Sequence, residues 1–398
     1  MDVDASQYAS ISMEMVQGDS WLQVMHRMGH YLDKPPLLFW LSAYCFNLFG
    51  FSTWAYKLPS ALAALLACWA LYRFARLFYE PSVARHAAFI LASSVGFLLL
   101  CNDVRTDTLL LAMTVCAVWQ VAAYHLWRKW QHLAAAFFFI GLAMLAKGPI
   151  GLMLPAWAVA AHLLWTKDWK GLLDWRWLAG LLVTAAVLAP MCWGLWLQFD
   201  SHPERMVNGR TGVSGLYFFF WEQSFGRITG ENVWKNDTGS LYFLHVYLWA
   251  FAPWAFVLAG LMWRWLRRPW GAKEAESAGF GDRLDWKEAF SIGGFFVSFV
   301  ALSLSKYKLP HYIFVTLPWA SVLVANGWPR LAAWFSKVRG AAVLLFYLPV
   351  ALVFVTAFLL LGFVFPTHDM LLWLPPSGLL GWLSWRIARH PFSSDAEV

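Results

Sequence analysis

Apolar residues run along this chain in long blocks separated by short polar segments. A helix of about 17 to 25 apolar residues crosses a bilayer, and roughly eleven such runs can be drawn. They fall at 54–79, 87–101, 108–126, 134–146, 150–166, 177–197, 240–263, 288–304, 311–329, 341–365 and 372–388. A further run from Pro36 to Gly50 is short and opens on Pro35-Pro36, so it is expected to lie at the membrane interface. Only helices or closed barrels satisfy their backbone in lipid, and the blocks are of helix length. The pattern therefore predicts an all-α polytopic membrane protein of about 11–12 transmembrane helices, with interfacial helices in its first external loop. The expected division is a first loop at 1–53, helices at 54–197, a long loop at 198–239, helices at 240–388 and a tail at 389–398.

Composition agrees with this picture and narrows it. Of the 398 residues, 60% are hydrophobic, 18% aromatic and only 13% charged, roughly half the charged share of a soluble domain. An ordinary cytosolic enzyme and a disordered chain are both excluded. The cysteines Cys45, Cys68, Cys101, Cys116 and Cys192 are odd in number and lack paired spacing, so neither a disulfide framework nor a zinc site follows. Met1 to Ser6 has neither a basic nor an apolar stretch, so it is not read as a cleavable signal peptide.

The net charge of +7 would suggest nucleic acid in a soluble protein, but in a membrane protein basic loops report orientation. No nucleic-acid partner is expected. When loops are assigned alternately to two sides, about nineteen of the 30 lysines and arginines fall on one side, among them Arg73, Arg128, Lys167, Arg176 and Arg264. That side is cytoplasmic, and the N-terminus, the loop at 198–239 and the short loops at 102–107, 147–149, 305–310 and 366–371 are then outside. Trp127, Trp130, Trp165, Trp169, Trp263 and Trp265 form an aromatic belt at the cytoplasmic interface. The remaining cations, including Lys34, Arg105, Lys147, Arg227, Lys306 and Lys308, stand outside, most of them beside Asp, Glu or His. Such a grouping suits an anionic ligand. No inverted repeat is evident and the span centres lack ionisable residues, which disfavours an ion-coupled carrier.

Each candidate has a plainer alternative. Tyr8, Ile11 and Met15 share one face of an amphipathic helix ending at Gly18, and Asp4 is either its N-cap, with Gln7 completing a capping box, or a general base at its tip. In Tyr31-Leu32-Asp33-Lys34-Pro35-Pro36 the prolines hold Lys34 outside the following helix, where it either snorkels or meets a phosphate. Asp107 could cap the helix that follows, but Asp103, Arg105 and Asp107 together exceed what a cap requires. Lys147 before Gly148-Pro149 reads best as a helix-terminal cation in a tight turn. Lys306, Lys308, His311 and Tyr312 are harder to dismiss, because lysines act as point charges for phosphate and these run against the orientation bias. Trp221, Glu222 and Arg227 suit sugar stacking or phosphate gripping, or equally a packed loop.

Taken in order, Asp4-x-x-x-Tyr8-Ala9-x-Ile11-x-x-Glu14-Met15, Tyr31-Leu32-Asp33-Lys34-Pro35-Pro36-Leu37, Arg105-Thr106-Asp107, Leu145-Ala146-Lys147-Gly148-Pro149 and Ser305-x-x-Lys308-x-Pro310-x-Tyr312 resemble the polytopic GT-C glycosyltransferases. Within these the likeness is to the ArnT and protein O-mannosyltransferase group, family 39. The resemblance implies a GT-C-like bundle at the bacterial inner membrane with its active face in the periplasm. It implies inverting transfer of a sugar from a polyprenyl-phosphate donor to a lipid (lipid A-like), glycan or protein acceptor. By position it implies catalytic roles for Asp4 and Asp107. Donor-phosphate binding falls to Lys34, Arg227, Lys306 and Lys308, and sugar or acceptor contacts to Tyr8, Trp221, Glu222, His311 and Tyr312. No cofactor is firm, and a divalent metal is allowed but not indicated. A lipid-linked-sugar transporter or flippase and a non-catalytic assembly subunit are the alternatives.

The chain departs from its relatives at Asp4-Ala5, where many read Asp-Glu, so a second carboxylate role is dropped or moved to Asp2. It also has Asn236-Asp237-Thr238 where a His is common, and a C-terminal soluble domain such as some relatives carry is not expected in these residues. A transmembrane helix usually precedes the first loop, so a longer N-terminus is expected upstream of Met1.

Overall fold

In a computed structural model the described residues are 3–337, apart from 19, 28, 208, 224–225, 227–237, 240 and 267–287. The runs expected at 341–365 and 372–388 and the tail at 389–398 lie outside them, as does Arg227.

The chain opens with helix α1 (Val3–Gln17) and a two-residue hairpin, β1 (Met25–His26) with β2 (Gly29–His30). Next come α2 (Leu37–Phe49), which begins directly after the two prolines, and α3 (Thr53–Ala75), capped by the Ser52 hydroxyl accepting from the Ala55 amide. Helices α4 (Pro81–Ser93) and α5 (Val95–Asn102) follow, then α6 (Thr106–Trp127), α7 (Trp130–Lys147) and α8 (Ile150–Trp165). After the short α9 (Trp169–Leu172) stands α10 (Arg176–Leu195), continued by a wider π-type turn to Asp200. The remaining elements are the short α11 (Gly215–Tyr217), α12 (Tyr242–Ala250), α13 (Ala255–Leu266), α14 (Ala289–Leu304) and α15 (Leu317–Lys337), the last entered through a tight 3₁₀ stretch from Pro310 to Thr316.

Among the described residues four helical stretches are long and apolar enough to cross a membrane, or five if α4 and α5 count as one bent span. The run expected at 87–101 is that bent pair, with a 62° angle between its halves. Its break is matched by the break that divides the run expected at 240–263. The Val95 amide donates to the Ala252 carbonyl at 3.2 Å, and the Trp254 indole to the Ser93 hydroxyl at 2.9 Å. Polar groups freed by interrupting one helix are thus met by the other, as a lipid environment requires.

Helix α6 is the axis of the bundle, buried along most of its length by α3, α7 and α8. The outward faces of α3 and α10 carry Leu62, Leu65, Leu178 and Leu182 in the open, where lipid replaces protein as the apolar neighbour. All six tryptophans of the expected belt are exposed. Helix α1 lies against α2 through Tyr8, Ile11 and Met15, so the face read from its periodicity is the buried one.

Candidate active site

Five segments distant in sequence meet at one end of the bundle. They are the first turn of α1, the Asp33-Lys34 segment, the α5–α6 junction, the end of α7 and the residues leading into the 3₁₀ stretch. All five come from loops or ends that the cation count places outside. Between them open two spaces. A polar cavity of about 620 Å³ is lined by Asp4, Asp33, Lys34, Asp103, Arg105 and His311, with an apolar wall of Leu99, Leu100, Trp249 and Phe314. An apolar cleft of about 300 Å³ is lined by Leu110, Met153, Trp157, Ala301, Leu302 and Val315, with Lys147 and Gln223 as polar members. Lys34, Tyr307 and Tyr312 line both spaces and so stand where they join.

Local sequence explains how each group is presented. Asp4 sits in the first turn of α1, where the amide end of a helix favours a carboxylate. The two prolines keep Lys34 out of α2, and its ammonium rests on the Asp33 carboxylate at 3.0 Å. Arg105 is extended, ahead of the first helical residue of α6, which frees its side chain to span the cavity wall. It approaches Asp103 at 2.7 Å, Asp4 at 3.6 Å and His311 Nδ1 at 3.4 Å. Lys147 closes α7 before Gly148, whose φ of 83° turns the chain sharply at a cost only glycine escapes.

Asp107 is 3% exposed and does not line the polar cavity. Its carboxylate holds Lys147 at 2.5 Å, with His311 Nε2 at 3.7 Å. The ammonium of Lys147 also lies over the Tyr312 ring, 4.0 Å from its centroid. Neither charge is left alone in a place where an isolated one would be very unfavourable. Polar contacts thus run from Asp4 through Arg105 and His311 to Asp107 and Lys147.

Several expected site residues are placed elsewhere. Tyr8, expected to contact sugar or acceptor, is 3% exposed, packs on Phe39 at 5.5 Å and lines neither space. Burial and the nearby Tyr31, Asp4 and Asp33 push its hydroxyl far above the ordinary range, so it stays protonated. Lys308 is buried and donates to the Thr238 carbonyl at 3.0 Å, because its segment turns it inward toward the long loop. Lys306 is exposed, and Trp221 and Glu222 stand on a π-type turn outside the lining. His311 and Tyr312 do line the cavity, together with Asp4 and Lys34.

Lys147 ends α7 before the Gly148 turn, as its plainer reading has it, and it also joins Asp107 and faces the cleft. Its signal was an unneeded cation on the translocated side. Gln223, whose side chain donates to the Asp33 carbonyl, carried no signal at all. Gln198 likewise clamps the hairpin approach through both the Val24 amide, at 3.0 Å, and the Val24 carbonyl, at 2.8 Å. Burial, with the nearby Arg205, lowers the pKa of the adjoining His30. Among the described residues no group of three or more His, Cys, Asp or Glu stands close enough to hold a metal ion.

A multi-pass helical membrane protein with a cluster of interacting charged residues around a cavity at one end of the bundle is the class that this fold and site define. The fold is that of the GT-C membrane glycosyltransferases: the crystal structure of ArnT from Cupriavidus metallidurans bound to undecaprenyl phosphate superposes with a TM-score of 0.67 at 23% identity, covering 86% of this chain and 59% of that one. An oligosaccharyltransferase from Archaeoglobus fulgidus superposes at 0.52 with 16% identity, over 92% of this chain and 51% of that one. Residues 33–196 match the family described as dolichyl-phosphate-mannose-protein mannosyltransferase. The undecaprenyl phosphate-alpha-4-amino-4-deoxy-L-arabinose arabinosyl transferase 2 of Sodalis glossinidius is 26% identical over 86% of this chain and 58% of its own length. The corresponding transferase of Pseudomonas aeruginosa PAO1 is 25% identical over 78% and 52%. The chain is thus similar to the ArnT and protein mannosyltransferase group, as its motifs indicate, and it spans little more than half the length of these curated proteins.

Proposed function

We propose that the protein is a glycosyltransferase of the bacterial inner membrane that moves a sugar from a polyprenyl-phosphate donor to an acceptor at the periplasmic face. One observation carries this reading: a charged cavity and an apolar cleft of the same bundle end meet at Lys34, Tyr307 and Tyr312. A donor with an apolar chain, a phosphate and a sugar has the same order of parts. The chain occupies the cleft, the phosphate lies between Lys34 and Lys147, and the sugar projects into the polar cavity.

In the transfer an acceptor hydroxyl attacks the anomeric carbon and the bond from that carbon to the phosphate oxygen breaks with inversion. The electron pair leaves on the polyprenyl phosphate, which goes from a monoanionic diester to a dianionic monoester, and the hydroxyl proton passes to Asp4. Fixed cations at the leaving oxygen act where charge grows. A carboxylate within hydrogen-bond reach contributes about 10² to 10⁴-fold as a general base. Asp107, enclosed by Lys147 and His311, orients the phosphate-binding lysine rather than meeting the acceptor.

The three carboxylates of the polar cavity, Asp4, Asp33 and Asp103, outnumber its cations Lys34 and Arg105, which suits a sugar bearing an amino group such as the one in the relatives' names. The apolar wall around Trp249 and Phe314 favours a lipid acceptor over a protein or soluble glycan. Transfer of radiolabelled sugar from a polyprenyl-phosphate donor tests the reading. Asp4→Asn and Lys34→Ala are each expected to abolish most transfer, and full activity in both, or donor movement across the bilayer without transfer, sinks it.

A further inference from the structure

A general base has to be held within a fraction of an ångström of its target, yet the terminal turn of a helix is the part most prone to fray. Asp4 stands in such a turn. What holds it is reached from a different helix. Tyr56, in the first turn of α3, points its hydroxyl at the carbonyl of Ala5, the residue next to Asp4, and donates to it at 2.5 Å. Tyr56 is 2% exposed and Ala5 fully buried, so this bond is out of competition with water.

The ring of Tyr56 is held in turn. It lies stacked on Phe46 of α2, with centroids 5.9 Å apart and planes within 17°, and α3 is itself anchored there by its Ser52 cap. By the helical repeat, the Ala5 carbonyl already accepts from the amide of Ala9. The bond from Tyr56 is therefore additional to what satisfies α1, and a phenylalanine ring would fill the same space. Tyr56 lines neither the polar cavity nor the apolar cleft.

We propose that Tyr56 is a positioning residue for Asp4: its hydroxyl pins the first turn of α1 to α3, and so keeps the carboxylate in the cavity facing Arg105. The proposal rests on the reading of Asp4 as the base. It assigns Tyr56 an effect on turnover and none on the donor, because Lys34, Lys147 and the apolar cleft are carried by other segments.

The test uses the full chain in lipid vesicles with a labelled polyprenyl-phosphate sugar. Tyr56→Phe is expected to lower kcat about tenfold, since a small misplacement of a reacting group costs that much or more. The donor KM is expected to stay within about twofold, and in the Asp4→Asn background Tyr56→Phe should have no further effect, as two members of one unit are not additive. Leu71→Ala opens a cavity in α3 about 22 Å along the helix from Tyr56, so it should lower the melting temperature and leave kcat within about twofold. The anchor is overturned by unchanged kcat in Tyr56→Phe, by an equal loss in the Asp4→Asn background, or by Leu71→Ala reproducing the loss. Full activity of Asp4→Asn overturns the base and the anchor together, which separates the two failures.

Discussion

The polar cavity and the apolar cleft lie side by side and share three residues, yet they are built in different ways. Loop ends and helix termini make the cavity: Asp4, Asp33, Asp103 and Arg105 are each within a turn of a break in the chain. Helix interiors make most of the cleft, through Leu110 of α6, Met153 and Trp157 of α8 and Ala301 and Leu302 of α14. Charged groups need water or partners and so gather where helices end, whereas a hydrocarbon chain needs only shape and length. A site that joins a lipid to a sugar has to use both constructions, and Lys34 stands at their seam.

The largest expected effect separates the two spaces. Asp4→Asn should lower kcat by about 10² to 10⁴-fold, while equilibrium binding of the lipid donor stays within about twofold. Comparable loss of donor binding would place Asp4 on the donor side instead. Lys34→Ala belongs to both spaces and should cost about 10²-fold or more in kcat/KM, split between donor affinity and turnover. A pure KM effect would confine Lys34 to the cleft.

Asp107→Asn removes the buried partner of the half-buried Lys147, which costs roughly 3 kcal/mol in stability and weakens donor binding. Thermal unfolding and donor titration read the two effects separately, and an unchanged melting temperature would contradict a dependence of Lys147 on this pair. Ala301→Trp fills the cleft and should raise KM about tenfold for a long-chain donor but much less for a short-chain analogue. Equal effects on both donors would remove the cleft from the lipid path. The smallest change is expected of Tyr8→Phe, under about twofold in activity, because the ring packs on Phe39 rather than entering the cavity.

Much of this could be read before any coordinates. The buried face of α1, the start of α2 after Pro36, the exposed tryptophan belt and the grouping of external cations follow from periodicity, proline geometry and orientation bias. These are local or one-dimensional rules, and they hold wherever the chain is placed. Asp4, Lys34, His311 and Tyr312, singled out in the sequence, line the same cavity. Lys308 instead meets the Thr238 carbonyl, since the orientation bias says that a cation has a partner and not which one. For Lys147 local context was the obstacle: a cation before Gly-Pro satisfies a helix end so well that nothing points to Asp107, forty positions earlier.

The sequence by itself determined that this is a helical membrane protein, which loops carry the cation surplus and which charges call for explanation, because span length and cation bias depend on composition along the chain. Only the tertiary structure decided which charges meet. The Arg105 contacts to Asp4 and His311, the pairing of Asp107 with Lys147, the joining of cleft to cavity at Lys34 and the reach of Tyr56 to Ala5 all cross between helices. Coulomb and hydrogen-bond energies fall off within a few ångströms, so they are set by how helices pack and by where α4 and α12 break, and no spacing along the chain encodes those distances.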